Sequence, residues 1–240
     1  MAGADPTVEQ IMNELERLGD AGYKRIVMKH GAKEPLFGVK IENLKKYQAK
    51  IKKNQGLALA LFDTGNFDAM YLAGLIADEA KMTKKDLQRW VVNAKSRTIA
   101  EYTVPWIAAE SRFGFELAQS WIASDDDQIA AAGWSTLSSV VSVRRDEDLD
   151  LKELEKLLSR VAKSIGKAPD RVRHTMNGFI IAAGSYVAPL TEKALAMAAQ
   201  IGKVTVGMGD TACKVPDAAE YIGKAVKAKR VGRKRATARC

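Results

Sequence analysis

Apolar positions recur at three- and four-residue spacing along almost the whole chain, the pattern of helices that bury one stripe. Ile11, Met12, Leu15 and Leu18 form the first stripe. Thr7-x-x-Gln10 opens it as a capping box and Gly19 stops it, so a helix is predicted over Val8 to Leu18. A second runs from Ala21 to His30 and is closed by Gly31. Pro35 and Gly38 break helix, which makes 34–39 a loop. Helices follow over Ile41 to Ile51, over Leu57 to Phe62 between Gly56 and Gly65, and over Asn66 to Asp78. Thr83-x-x-Asp86 caps the next, Lys84 to Asn93. Arg97 to Ser111 reads as helix despite Pro105, which either kinks it or marks a new first turn. Phe113 to Ala123 and Asp127 to Val141 form a pair. Leu151 to Ile165 is the cleanest amphipathic segment, with Leu151, Leu154, Leu157, Leu158 and Val161 on its buried side. Pro169 precedes a helix to Tyr186, and Leu190 to Ile201 and Asp217 to Lys229 complete the series. Lys203 to Val206 is the one candidate for a short extended piece, and nothing alternates as a sheet would. The fold class is all-α.

The helices come mostly in pairs with short polar joints, and no glycine- or proline-rich linker divides them, so one domain is expected over 1–223. Pro105-Trp106-Ile107-Ala108-Ala109-Glu110 recurs weakly as Ser120-Trp121-Ile122-Ala123-Ser124-Asp125. Ile129-Ala130-Ala131-Ala132-Gly133 is unusually small, and Ala182-Ala183-Gly184 echoes it. Small residues let helices approach closely. Stacked pairs with such contacts fit an α-solenoid with a concave groove better than a closed bundle.

Composition narrows the chemistry. The chain has 240 residues, 47% hydrophobic and 28% charged, which excludes wholesale disorder. Two histidines and two cysteines leave no material for a structural zinc, and no metal or cofactor is expected. P-loop, G-x-G-x-x-G and H-E-x-x-H patterns are absent. The longest apolar runs, Leu57 to Phe62 and Phe179 to Ala183, fall far short of the roughly 20 residues of a membrane helix, and MAGADPTVEQ does not read as a signal peptide. Cys213 and Cys240 read as reduced thiols, and a cytoplasmic monomer is the expectation. The net charge is +9, and Lys224, Lys227, Lys229, Arg230, Arg233, Lys234, Arg235 and Arg239 carry eight units of it. Residues 224–240 thus form a basic C-terminal tail, suited to a polyanion through counterion release or simply a solvated terminus.

Leu36-Phe37-Gly38-Val39 followed by Leu44-Lys45-Lys46 resembles the early signature of the AlkD-like DNA alkylation repair proteins. Asp68-Ala69-Met70-Tyr71-Leu72-Ala73, Trp121-Ile122-Ala123-Ser124-Asp125 leading into Ile129-Ala130-Ala131-Ala132, and Asn177-Gly178-Phe179-Ile180-Ile181 are similar to its later repeats. The likeness covers roughly residues 8 to 205 and rests on the order of several weak motifs. It implies a HEAT-like helical-repeat arc clasping duplex DNA, and an activity that excises N3- or N7-alkylated purines as a monofunctional glycosylase. It places Glu101 at the family's catalytic carboxylate, Arg97 where the family has a tryptophan, Ala131 where it has an arginine, and Phe179 at a second tryptophan. With the register shifted by one turn, Trp90, Tyr102, Trp106 or Trp134 would supply the missing ring.

Glu101 is therefore the candidate catalytic residue, with a solvated helix acid as the plain alternative. Arg97 lies one turn before it and is placed to pair with it. Trp134, after Gly133, is either a core ring or one that lines the groove. Arg171-Val-Arg173-His174 is a basic helix start able to face phosphates. Arg97, Trp134, Arg171, Arg173, His174, Lys227, Lys229, Arg230, Arg233, Lys234 and Arg235 are the DNA-binding candidates. Trp106, Trp121 and Phe179 read as core, and His30 suits a helix end. Cys213 has no histidine near it in sequence, which weakens a nucleophile reading. The expectation is a duplex-DNA-binding repair protein. A non-catalytic DNA-binding module and a protein-interaction scaffold of the same fold are the alternatives.

Overall fold

The computed structural model describes residues 6–207, 211 and 213–239. Among these residues lie thirteen α-helices and no strand. They are α1 (Val8–Arg17), α2 (Ala21–Lys29), α3 (Ile41–Ile51), α4 (Gln55–Asp63), α5 (Phe67–Ile76), α6 (Lys84–Asn93), α7 (Val104–Glu110), α8 (Gly114–Trp121), α9 (Asp127–Val143), α10 (Leu151–Ser164), α11 (Asp170–Tyr186), α12 (Thr191–Ile201) and α13 (Ala218–Lys227). Both sequence-predicted capping boxes form, Thr7 with Gln10 and Thr83 with Asp86. Residues 203–206 are irregular rather than extended strand. Cys240 lies outside the described residues. None of the described helices is long and apolar enough to cross a membrane.

The helices stack as a HEAT-like repeat array. α3, α5, α7, α9, α11 and α13 lie side by side, and α4, α6, α8, α10 and α12 back them as a second layer. Aromatic pairs tie neighbouring helices: Phe62 stacks on Trp90 at 4.1 Å, Tyr71 meets Trp106 edge-on at 5.5 Å, and Trp134 tilts against Phe179 at 5.4 Å. The small-residue stretches act where close approach is needed. A Cβ on Gly133 would come within 2.7 Å of the Ile122 backbone nitrogen, and one on Gly184 within 2.8 Å of the Ala194 Cβ. α9 thus rests directly on the end of α8, and α11 on α12. The Trp106 and Trp121 segments are not equivalent in space. Trp106 sits in α7, whereas Trp121 ends α8 in the backing layer and donates its indole N–H to Gln88 at 2.8 Å.

Two of the motifs noted in the sequence prove to be one device. The buried Asp68 carboxylate accepts from the backbone N–H groups of Phe37 (2.7 Å), Gly38 (3.1 Å) and Val39 (2.9 Å). It fastens the 34–39 loop to α5. Burial pushes its carboxyl above the ordinary aspartate value, while the three donors pull the other way.

The tail is not a solvated terminus in this structure. α13 ends in a Schellman closure on Lys229, which takes the left-handed conformation (φ 51°) while Arg230 N–H reaches Ala225 C=O at 2.9 Å. The chain then turns back across the C-terminal ends of α11, α9, α7 and α5 in succession. Gly232 N–H donates to Ser185 C=O, Arg235 N–H to Ser142 C=O, Ala238 N–H to the Glu110 carboxylate, and the Arg239 guanidinium to the carbonyls of Gly74 and Ala77. Arg239 also pairs with Glu79 (2.9 Å) and Glu110 (2.8 Å), and Ala238 is buried in the N-terminal core. Cations laid against helix C-termini suit the helix dipoles. The 223/224 boundary falls inside α13, and among the described residues three of the eight tail cations are matched by acids: Lys224 by Glu220, Lys234 by Asp146 and Arg239 by Glu79 and Glu110.

Asp68→Ala removes the acceptor of three backbone donors. It is expected to lower unfolding stability by roughly 3 kcal/mol in urea titration, and a loss under about 0.5 kcal/mol would show that the loop is held by something else.

Candidate nucleic-acid interface

The site begins with a missing hydrogen bond. Pro105 has no N–H to offer the Glu101 carbonyl four residues back. The chain widens over Ile99–Thr103 into a π-turn, with Val104 N–H reaching Ile99 C=O, before α7 begins. Pro105 therefore both disturbs the segment and lies in the first turn of a new helix. Glu101 sits in the middle of that π-turn with its side chain only 3% exposed.

Two guanidinium groups reach it. Arg171, from the first turn of α11, meets Oε1. Arg97 Nε stands 3.8 Å from Oε2, which is buried and accepts no hydrogen bond. Arg97 can come this close because Gly31, at φ 90°, has no side chain: a Cβ there would be 3.1 Å from the Arg97 Cβ. His174, one turn beyond Arg171, is partly buried and its Nδ1 has no partner. Burial lowers its pKa below the ordinary 6.5, and the positive charge of Arg97 lowers it further; both favour the neutral imidazole.

Glu101 and His174 line a cavity of about 280 Å³ together with Tyr102, Trp106, Ser135, Ser138, Ser139, Ser142, Thr175, Gly178, Ala182, Tyr186, Arg235 and Ala238. A second cleft, of about 630 Å³, adjoins it through Tyr186 and Arg235 and is rimmed by Lys224, Arg230, Arg233 and Lys234. The turned-back tail thus carries cations to the edge of the Glu101 cavity. The serines escaped the sequence reading. Their signal was the placing of 135, 138, 139 and 142 along one face of α9, which is a hydroxyl-bearing face rather than a merely small one.

Of the sequence-predicted residues, Arg97, Glu101, Arg171 and His174 come together. Lys227, Lys229, Arg230, Arg233 and Arg235 are exposed. Trp134 is a correction: it is wholly buried, because α9 turns it inward with Ala130, Leu137 and Val141 onto Phe179, so it lines no groove. Arg173 is another. Its guanidinium is spent on the carbonyls of Ala168 (2.8 Å), Ile165 (3.3 Å) and Thr205 (3.0 Å), where it holds the entry to α11 rather than facing a ligand. Lys234 pairs with Asp146 at 2.7 Å and donates to Val141 C=O at 2.9 Å, so its charge is largely spoken for within the fold. Ala131 and Phe179, which the resemblance sets at an arginine and a tryptophan position, are both fully buried. Glu101 is not a solvated acid. Cys213, far from any histidine in sequence, has its Sγ 3.9 Å from His30 Nδ1.

A carboxylate enclosed by two guanidinium groups has its charge matched internally. It offers little attraction to a cation developing nearby, and the surrounding cleft attracts anions instead.

The sequence profile of the DNA alkylation repair enzyme family matches residues 11–222. Two relatives, uncharacterized proteins of Listeria monocytogenes and Listeria innocua, are each 36% identical over 225 residues, covering 91% of this chain and 97% of theirs. A solved structure described as a new family of proteins related to the HEAT-like repeat DNA glycosylases, with affinity for branched DNA structures, superposes with a TM-score of 0.90 at 36% identity, covering 98% of this chain and 100% of that one.

Removing one partner of the buried cluster leaves the rest uncompensated. Arg171→Ala is expected to cost roughly 3 kcal/mol of stability, and Arg171→Ala with Glu101→Ala together less than the sum of the two single changes. Additive losses in denaturant titrations would refute the coupling. His174, with its pKa lowered on folding, binds a proton more readily in the unfolded chain. It adds no penalty above pH 6.5, and stability falls as pH drops below that value. His174→Asn should flatten the decline in Tm between about pH 7 and pH 5, and an unchanged decline would assign it to other groups.

Proposed function

The chain belongs to the DNA alkylation repair enzyme family, and from that membership we propose that it is a DNA-binding member that grips the phosphodiester backbone, prefers branched DNA, and leaves the bases attached. The observation that carries this reading is the enclosure of Glu101 between Arg97 and Arg171. Excision of an alkylated purine needs a carboxylate free to stabilise a sugar that becomes cationic. Here the carboxylate already answers two fixed cations. The two further positions that the family uses for an arginine and a tryptophan are closed core positions.

Backbone binding draws its support from the cleft. Arg230, Arg233 and Arg235 rim it, Ser135 and Ser139 line the adjoining cavity, and the mixture of hydroxyls and guanidinium groups is that of phosphate contacts. The preference for branched DNA rests on the affinity described for the structural neighbour. The cationic rim also argues against a protein scaffold, for which an acid-lined groove would be expected. Duplex arms, a monomeric chain and a cytoplasmic setting complete the proposal.

A second reading, hydrolysis of the N-glycosidic bond of N3- or N7-alkylated purines, has one observation in its favour. Glu101 Oε2 accepts no hydrogen bond and lies against a cavity that holds Tyr102, Trp106 and Tyr186. One pair of assays separates the two. The intact chain should bind a four-way junction more tightly than a linear duplex of equal length. It should release neither 7-methylguanine nor 3-methyladenine from alkylated duplex. Changing Arg230, Arg233 and Arg235 to alanine should reduce the slope of log affinity against log salt by about three on both substrates. Base release by the intact chain that Glu101→Gln abolishes would replace the proposal with the second reading.

A further inference from the structure

The cleft around Glu101 is not the only cationic surface. On the backing layer, α10 turns Leu154, Leu157, Leu158 and Val161 inward and sends Lys152, Lys156 and Lys163 directly outward. Their spacing of four and seven residues places them in one row about 16 Å long. Together with Arg160 and with Lys193 from α12, they line a shallow cleft of about 640 Å³ that shares no residue with the Glu101 cavity or the tail cleft. Glu155 is the single acid in its lining, and it is answered by Lys193 at 2.8 Å. Lys156 has Glu153 at 3.0 Å, but that lysine is 74% exposed, so water screens the pair and its charge remains available. Arg160 donates to the Ile122 carbonyl at 3.0 Å and lies over the Trp134 ring at 5.8 Å, at the edge of the row.

The Glu101 cavity is built on α7, α9 and α11, and the lysine row lies on the outward side of α10, in the layer that backs them. A single straight duplex cannot lie against both, because it would have to pass through the packed core between them. A branched molecule can. Resting on the reading that the chain binds branched DNA, we propose that the outward face of α10 is a second phosphodiester-binding surface, which takes one arm of a junction while the tail-rimmed cleft holds another. Its contacts are point charges without base-edge partners, so the surface reads no sequence. Its contribution is a salt-dependent one that a linear duplex does not recruit.

The test uses the full chain with Lys152, Lys156 and Lys163 changed to glutamine, all three exposed and outside the core, with Tm measured to confirm that the variant is folded. On a four-way junction the salt slope should fall by about three relative to the intact chain, and affinity at low salt by tenfold or more, while the slope on a linear duplex is unchanged. An unchanged slope on a junction that the intact chain does bind overturns the second surface alone. An equal fall on junction and duplex overturns it too, since the lysines would then serve the arm already held. Failure of the intact chain to prefer the junction at all overturns the parent reading, a result visible before any variant is made.

Discussion

A carboxylate sealed beneath packed helices is tolerable only if cations reach it, and that requirement binds two distant stretches of this chain together. Glu101 comes from a π-turn forced by Pro105, Arg97 from the connection before it, and Arg171 from the first turn of α11. Each must be where it is for the others to be buried. The consequence runs outward in both directions. Gly31 has to be bare so that Arg97 can approach, and α11 has to lie tightly on α9 so that Arg171 arrives at the right depth. The same cluster that stabilises the middle of the array withdraws its carboxylate from chemistry. It leaves a hydroxyl-lined cavity with a positive rim.

Much of the array could be read from periodicity alone. Capping boxes at Thr7 and Thr83, the stop at Gly31 and the buried stripe of α10 are local signals, and local signals survive folding. The small residues around Gly133 and Gly184 correctly announced close helix contact, because a missing side chain has few other uses in a helix interior. What could not be read was which way a side chain turns once a neighbouring helix is present. Trp134 and Arg173 have the right chemistry for a groove and were pointed elsewhere by packing, one into the core and one onto three loose carbonyls. The four serines of α9 went unread in the sequence, because nothing local distinguishes a hydroxyl that lines a cavity from one that faces water.

The basic tail shows the limit of charge counting most clearly. Eight cations without an acid among them look like a free polycation, because the acids that answer Lys234 and Arg239 lie far away in sequence. Glu110 and Glu79 belong to the first half of the chain, and only the completed stack brings them under Arg239. Loop closure over such separations is entropically costly, and it is repaid by contacts made together: a buried methyl at Ala238, two carboxylates and two helix-end carbonyls.

An open stack of helical repeats behaves as a spring, since each unit touches only its neighbours and small rotations accumulate. The link from Arg239 to Glu79 joins residues 160 positions apart and turns that spring into a buckled belt. Its pitch can no longer drift freely with whatever it embraces. Arg239 thereby couples the units between α5 and the tail, so a rotation at any one of them is felt at the clasp.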